Sequence, residues 1–546
     1  MTDIRSPQTQ SLAPCTLPTC GRGARFLLAM VFAGLALAVY ATLDIVGGHF
    51  DEYYHVLAAQ SLRAGRGLTI ASDGHYTRAA EYTAAVAASM TVFGETLWAA
   101  RVPSMLCMAA AVGLTAAWAA RLGGLLAGVL AAGLLLFNPL GLYLGTMCRF
   151  YAPQILLVLM AVYITERIIR LRPTRKGRLF RVVTVGGLLF LAARLQPTTI
   201  FPASAIFGWL ILHEISERGR RRGKAPWRDL SVWITAGVVL LASAAAAMLL
   251  REQLASAWAE LRGAAAWSQE HQNNLMFYQR YFSRSFGWWW AAFPLMSLIA
   301  LRRGGISIVL LLSLIAVSFA GQSLGGMKSP RYLAYILPAL AVVWGLAGAE
   351  MLSHLATWLR SFADQADAPY RRTAHVALTT AAIAGTGWFL ITQPPTDVVK
   401  DMLDQKRSTG HPYVQNDWGV LNETLNAPAY RDHAIVASAE TKALFHLGRA
   451  DAALGVAQLV DFAEGTADPR TGLPTLATVE GLTHFMSQHS HGIVVAERDH
   501  WRQDWGVTHD VADFLETHTH PITLSPAADP AFVAFAWGEA NIADTP

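Results

Sequence analysis

The sequence predicts a polytopic α-helical membrane protein with a smaller C-terminal α/β domain outside the bilayer. Three observations predict it. Of the 546 residues, 53% are hydrophobic and only 15% charged, against about 25% charged in soluble domains, and the mean hydropathy is +0.33. Apolar runs near the ~20 residues a helix needs to cross a bilayer recur between residues 25 and 392. The basic residues gather in the short segments between those runs, as they do when they set membrane topology. That placement also excludes a nucleic-acid partner despite the net charge of +5, because no basic face with interleaved aromatics follows a phosphate backbone.

The chain opens on a polar, Pro-containing tail, residues 1–24, expected in the cytoplasm. Eleven candidate spans follow, at 25–44, 98–119, 122–139, 152–170, 182–196, 198–214, 231–250, 287–301, 305–321, 332–350 and 374–392. The first has no small-residue cleavage site after it and reads as an uncleaved membrane helix. Four basic clusters then set the orientation: Arg170 to Arg181, Arg218 to Arg228, Arg302 with Arg303, and Arg371 with Arg372. With eleven spans all four share the N-terminal, cytoplasmic side, and the C-terminus lies outside. Of the cysteines Cys15, Cys20, Cys107 and Cys148, none follows residue 148, so the C-terminal part has no disulfide framework. Cys15 and Cys20 lack two further ligands for zinc.

The outside segments are then 45–97, 140–151, 251–286, 322–331 and everything after about 393. In the first, Tyr53, Val56, Leu57 and Leu62 suggest a short amphipathic helix lying on the membrane, and a second helix is expected over 80–93. From 394 to 546 apolar runs shorten and charge rises. Residues 434–438, 491–496 and 532–535 read as short strands, accompanied by helical segments at 420–425 and 510–518, a small α/β domain.

This topology collects Asp51, Glu52, Arg78, Arg149, Lys328 and Arg331 at one face of the membrane, together with Tyr151. Two adjacent carboxylates at the mouth of a span are costly unless they act. Carboxylates facing several cations suit a site that holds a phosphate and activates a hydroxyl: arginine grips phosphate with a bidentate fork, and a carboxylate takes a proton from an attacking hydroxyl.

The order of several short motifs carries a resemblance. Phe50-Asp51-Glu52 follows the first span, and Tyr76-Thr77-Arg78-Ala79 lies in the same loop. Phe93-Gly94-Glu95 and Arg101-Val102-Pro103-Ser104 lead into the second span. Arg149-Phe150-Tyr151-Ala152 and Lys328-Ser329-Pro330-Arg331-Tyr332 come later. Over roughly 25–350 the chain resembles the GT-C glycosyltransferases, near the bacterial relatives of protein O-mannosyltransferases and the lipid A aminoarabinose transferase. The resemblance implies a bacterial inner-membrane enzyme. Such an enzyme takes a sugar from a polyprenyl-phosphate carrier and gives it, with inversion, to a lipid, glycan or protein acceptor on the non-cytoplasmic side. It places the general base at Asp51, with Glu52 beside it, and the carrier phosphate against Arg78, Arg149, Tyr151, Lys328 and Arg331. Two departures stand out. The stretch Cys148-Arg149-Phe150-Tyr151 lacks the second acid that the aminoarabinose transferases carry there, and Ala80 stands where relatives often have Pro. The missing acid argues against the aminoarabinose donor and against a two-carboxylate metal site, so no metal or cofactor is expected.

Plainer readings stand beside these. Asp51 and Glu52 suit an N-cap and first helical turn. Arg149, Lys328 and Arg331 could anchor span ends to lipid headgroups. His49 and His55 flank the carboxylates in a metal-like spacing that an interface helix would equally show. A polytopic transporter of a lipid-linked sugar is the competing function, but transporters place their charges near the midplane and often show internal repeats, neither of which is found here.

Overall fold

A computed structural model describes residues 21–43, 47–71, 74–171, 174–221, 259, 262–263, 271–364, 373, 376–377, 380, 416–459 and 463–538. Its membrane part contains α1 (Arg22–Thr42), α2 (Phe50–Arg63), α3 (Ala80–Phe93), α4 (Leu97–Gly123), α5 (Leu125–Leu136), α6 (Pro139–Thr146), α7 (Tyr151–Leu171), α8 (Arg175–Leu195) and α9 (Ile200–Arg221). Then come α10 (Phe277–Phe286), α11 (Phe293–Gly304), α12 (Ile306–Leu324), a 3-10 segment at Pro330–Ile336, and α13 (Leu337–Asp364). Nine of the expected spans fall on these elements. The other two, 231–250 and 374–392, lie outside the described residues apart from 376–377 and 380. Among the described residues six helices are long and apolar enough to cross a membrane, or seven if α5 and α6, bent by 64°, form one broken span.

The breaks follow local chemistry. Gly124, at φ 87°, ends α4 and starts α5. Asn138 Oδ1 accepts from Gly141 N at 2.9 Å, and Pro139 takes the first position of α6, where its missing N–H costs nothing. The bundle packs α4 against α1, α5 and α7, with α13 laid along α5. Small residues allow the approach: a Cβ on Gly113 would stand 2.7 Å from the Ala29 carbonyl oxygen, and one on Gly345 2.7 Å from that of Ala127. Close backbone contact of this kind drives association where lipid offers no hydrophobic force.

The two helices expected between the first spans are present. Helix α3 spans the expected 80–93. Helix α2 is more enclosed by protein than its apolar pattern suggested. Residues from Glu52 to Ala59 are all buried, with α3 on one side and the C-terminal domain on the other.

That domain is an α/β unit with a six-stranded sheet, ordered β3-β2-β1-β4-β6-β5. The strands are β1 (Ala434–Ala437), β2 (Ala452–Leu454), β3 (Thr475–Leu476), β4 (Gly492–Glu497), β5 (His520–Pro521) and β6 (Phe532–Trp537). β1, β2, β3 and β4 run parallel, and β6 pairs antiparallel with β4 and β5. Helices α14 (Glu440–His446), α15 (Val479–Gln488) and α16 (His509–His518) connect them. Alternate residues serve opposite faces, so Ile435 and Val495 join one core and Val436 and Val494 the other.

Candidate active site

The site is built on the first turn of α2. His49 caps it: its Nδ1 accepts from Asp51 N at 3.2 Å, while Glu52 Oε1 accepts from His49 N at 2.9 Å. A reciprocal box of this type satisfies two helix-end donors. Burial, reinforced by Arg331, Lys442 and Arg149, lowers His49 to about 3 against the opposing pull of Asp51. The ring is therefore neutral, and its 3.6 Å approach to Asp51 Oδ2 is not an ion pair.

The two carboxylates share a turn but have different surroundings. Asp51 Oδ2 accepts from Arg331 Nη1 at 2.8 Å and lies 3.7 Å from Arg149 Nη2. Its side chain keeps 14% exposure. Burial alone would raise the Asp51 carboxyl, but Arg149 and Arg331, with smaller help from His49 and Arg78, hold it well below the usual carboxylate range. Glu52 is enclosed. It accepts from Arg101 Nε at 2.9 Å and Nη2 at 3.1 Å, and from Cys148 N at 2.6 Å, besides capping His49 N. Its oxygens are committed to three separate chain segments, so Asp51 is the carboxylate that faces Arg149 and Arg331.

Arg149 comes from the turn between α6 and α7, and Arg331 from the 3-10 segment before α13. Arg149 Nη1 donates to the Asp51 carbonyl at 2.9 Å and to the Tyr76 hydroxyl at 3.2 Å. The Tyr151 ring lies within 5.9 Å of the Arg149 guanidinium and 5.8 Å of that of Arg331. The Nε atoms of both arginines are buried with no hydrogen-bond partner among the described residues. Arg78 is exposed, rests over the Phe150 ring at 5.1 Å, and donates to Gln196 Oε1 at 2.8 Å.

Of the residues expected at the site, Asp51, Arg78, Arg149, Tyr151 and Arg331 thus converge, and Glu52 lies behind them. Lys328 is placed differently: its buried Nζ donates to the carbonyls of Gln322, Ser323 and Gly325, at the C-terminal end of α12, where a cation complements the helix dipole. Sequence reasoning missed Gln196. A polar residue at a break between two apolar runs, followed by Pro197, was its available signal. It also missed the role of Arg101, whose motif was visible but whose partner, Glu52, was not.

Among the described residues the flanking histidines and these acids are not gathered within metal-ligand reach of one another. Glu52 is spent on Arg101, and His55 Nδ1 pairs with Thr83 Oγ1 at 2.8 Å inside a cage of Tyr76, Tyr82 and Phe150. Among the described residues one group, Glu497, Asp499 and His500, is spaced for a metal. Glu497 there already accepts from Lys442 Nζ at 2.8 Å and Trp418 Nε1 at 2.6 Å.

Comparison with known proteins bears on the fold. Residues 82–245 match the family described as dolichyl-phosphate-mannose-protein mannosyltransferase. No curated protein matches the sequence. The structure is similar to crystal structures of ArnT from Cupriavidus metallidurans. With the form bound to undecaprenyl phosphate, the TM-score is 0.58 at 14% identity, covering 96% of this chain and 100% of that one. The archaeal oligosaccharyltransferase AglB from Archaeoglobus fulgidus, in complex with an inhibitory peptide and a dolichol-phosphate, follows with a TM-score of 0.52 at 11% identity, covering 95% of this chain and 75% of that one. The fold is that of the GT-C membrane enzymes, a multi-pass helical domain carrying a sheet-containing C-terminal domain.

Proposed function

We propose that this chain is a membrane glycosyltransferase that moves a sugar from a polyprenyl-phosphate carrier to a hydroxyl acceptor, with inversion, outside the cytoplasm. The observation that carries the reading is a single ionised carboxylate, Asp51, held against Arg331 and Arg149 in the fold of a protein whose structure contains undecaprenyl phosphate. Asp51 takes the proton of the acceptor hydroxyl as its oxygen bonds to the anomeric carbon. The bond from that carbon to the phosphate breaks, and polyprenyl phosphate leaves with the electron pair. Arg149 and Arg331, with Arg78 at the open edge and Tyr151 between them, hold the phosphate and stabilise the charge it gains.

The resting ion pairs give this mechanism an order. A carboxylate so strongly stabilised is a weak base, since each pKa unit corresponds to 1.36 kcal/mol. A carrier phosphate competes with Asp51 for both arginines. As it takes them, Asp51 loses its partners and becomes a better base, so donor binding precedes proton removal. Glu52 positions the turn rather than reacting, and Lys328 ties down the end of α12.

The test is a purified-protein assay with a labelled polyprenyl-phosphate sugar and a membrane glycolipid. Release of polyprenyl phosphate supports the reading, whereas vectorial movement of an intact lipid-linked sugar would support a transporter. Arg149→Ala is expected to weaken binding of undecaprenyl phosphate by about one to two decades, the weight of a charge-assisted hydrogen bond of about 1.5–3 kcal/mol. Affinity within twofold of the parent would make Arg149 only a positioning group for Asp51.

The basic-loop pattern supports an inner-membrane orientation with the N-terminus in the cytoplasm. The C-terminal domain touches the 45–97 loop directly, through Tyr53 and His446 at 2.9 Å, so the two share a side. A reporter active only outside the cytoplasm, fused after Pro546, is therefore expected to be active. An inactive fusion would place Asp51 in the cytoplasm.

A further inference from the structure

We infer that Glu440 and Tyr54 are positioning residues through which the C-terminal domain sets the carrier-phosphate arginine Arg149. The inference rests on the reading of Arg149 given above. In an open sheet with parallel strands, the crevice outside the strand carboxyl ends, where the connections reverse direction, is the usual ligand position. Here the reversal falls between β1 and β4: β2 and β3 lie to one side of β1, and β4 to the other. The residues following β1, Ser438 to Lys442, line that position, and Lys442 pairs with Glu497 at the end of β4. The occupant of this crevice is helix α2 of the membrane part. Thr441 Oγ1 donates to the Phe50 carbonyl at 3.2 Å, Tyr53 Oη meets His446 Nε2 at 2.9 Å, and Tyr54 Oη donates to Glu440 Oε1 at 3.2 Å.

From Tyr54 a short chain of contacts leads to the phosphate site. The Tyr54 ring stacks on Tyr76 with centroids 5.1 Å apart and planes 20° from parallel. The Tyr76 hydroxyl accepts from Arg149 Nη1 at 3.2 Å. The Arg470 guanidinium also lies over the Tyr54 ring, 5.0 Å from its centroid, and Arg470 is clamped by Asp468. The Asp468 loop is seated on the catalytic loop as well: His75 N donates to the Pro469 carbonyl at 2.9 Å, and a Cβ on Gly74 would lie 2.2 Å from the Thr471 carbonyl carbon. Burial raises the Glu440 carboxyl, with Arg470 opposing. The ring whose hydroxyl holds Arg149 is therefore fixed from the soluble domain and not by the bundle alone.

The full-length purified chain would be titrated with undecaprenyl phosphate, with the melting temperature measured on the same samples. Tyr54→Phe and Glu440→Leu are each expected to weaken binding about 2- to 10-fold, the range of one hydrogen bond, at temperatures well below each variant's melting point. Gly74→Ala, which pushes the Asp468 loop away, falls at the upper end. Glu440→Gln keeps an oxygen acceptor and is expected to bind like the parent. Parent-like affinity in Tyr54→Phe, Glu440→Leu and Gly74→Ala, with Arg149→Ala still impaired, overturns the positioning role and leaves the phosphate reading standing. Losses that track a fall in melting temperature, and that Glu440→Gln shares, overturn it as mere loss of docking. Parent-like binding by Arg149→Ala overturns the reading beneath it.

Discussion

Asp51→Asn is expected to slow sugar transfer by at least about 10²-fold, the lower bound of a general base's contribution, while binding of undecaprenyl phosphate holds or tightens. The two effects have opposite signs for one reason. Asparagine cannot take the proton of the acceptor hydroxyl, which is a poor nucleophile near neutral pH without a base. Removing the carboxylate also removes the competitor for Arg331, now 2.8 Å from Asp51, and for Arg149 at 3.7 Å. The freed guanidiniums gain charge-assisted bonds to phosphate that are partly spent in the resting protein. Carrier binding should also raise the melting temperature of the variant more than that of the parent, because two like charges left side by side are neutralised. Rate and donor affinity are measured on the same preparation. A fall in affinity that parallels the fall in rate would make Asp51 a scaffold for the arginines, and retention of full activity would move the base elsewhere.

The contrast between Asp51 and Glu52 shows where sequence reading stops. That one acid of the pair would act and the other cap the helix is readable locally, since adjacent residues lie about 100° apart on a helix. What encloses Glu52 is not local: Arg101 lies 49 residues on and the Cys148 amide 96 residues on. Arg149, Lys328 and Arg331 look alike in sequence, as cations beside span ends. Only the packed chain separates the two that meet Asp51 from the one that folds back onto its own helix. Helix α2 was partly legible for the same reason. Its apolar face was visible, but the contacts of its Tyr53 and Tyr54 with His446 and Glu440, nearly 400 residues away, were not. In the C-terminal domain the apolar runs of β1, β4 and β6 were legible. The two- and three-residue strands β2, β3 and β5 carry no period to read, and the parallel order that places Glu440 against Tyr54 is not legible without them.

Glu52→Ala is expected to fail by unfolding rather than by chemistry. Glu52 and Arg101 are 2% exposed each, and removing one partner of such a buried pair leaves an uncompensated charge at a cost of about 3–5 kcal/mol. That is a large part of the 5–15 kcal/mol that holds a typical domain folded. The loss is compounded because the same carboxylate holds Cys148 N at 2.6 Å and His49 N at 2.9 Å. The start of α4, the turn carrying Arg149 and the turn carrying Asp51 would therefore loosen together. Glu52→Gln keeps oxygen acceptance for one amide at a time but not the charge facing Arg101, so it should melt between the parent and Glu52→Ala. The double variant Glu52→Gln with Arg101→Met removes both charges, and exchanging a buried pair for apolar contact is often neutral. It should recover most of the lost melting temperature and part of the turnover, which a general base could not do. A Glu52→Gln protein that melts like the parent, binds undecaprenyl phosphate like the parent and yet does not turn over would instead assign the proton transfer to Glu52.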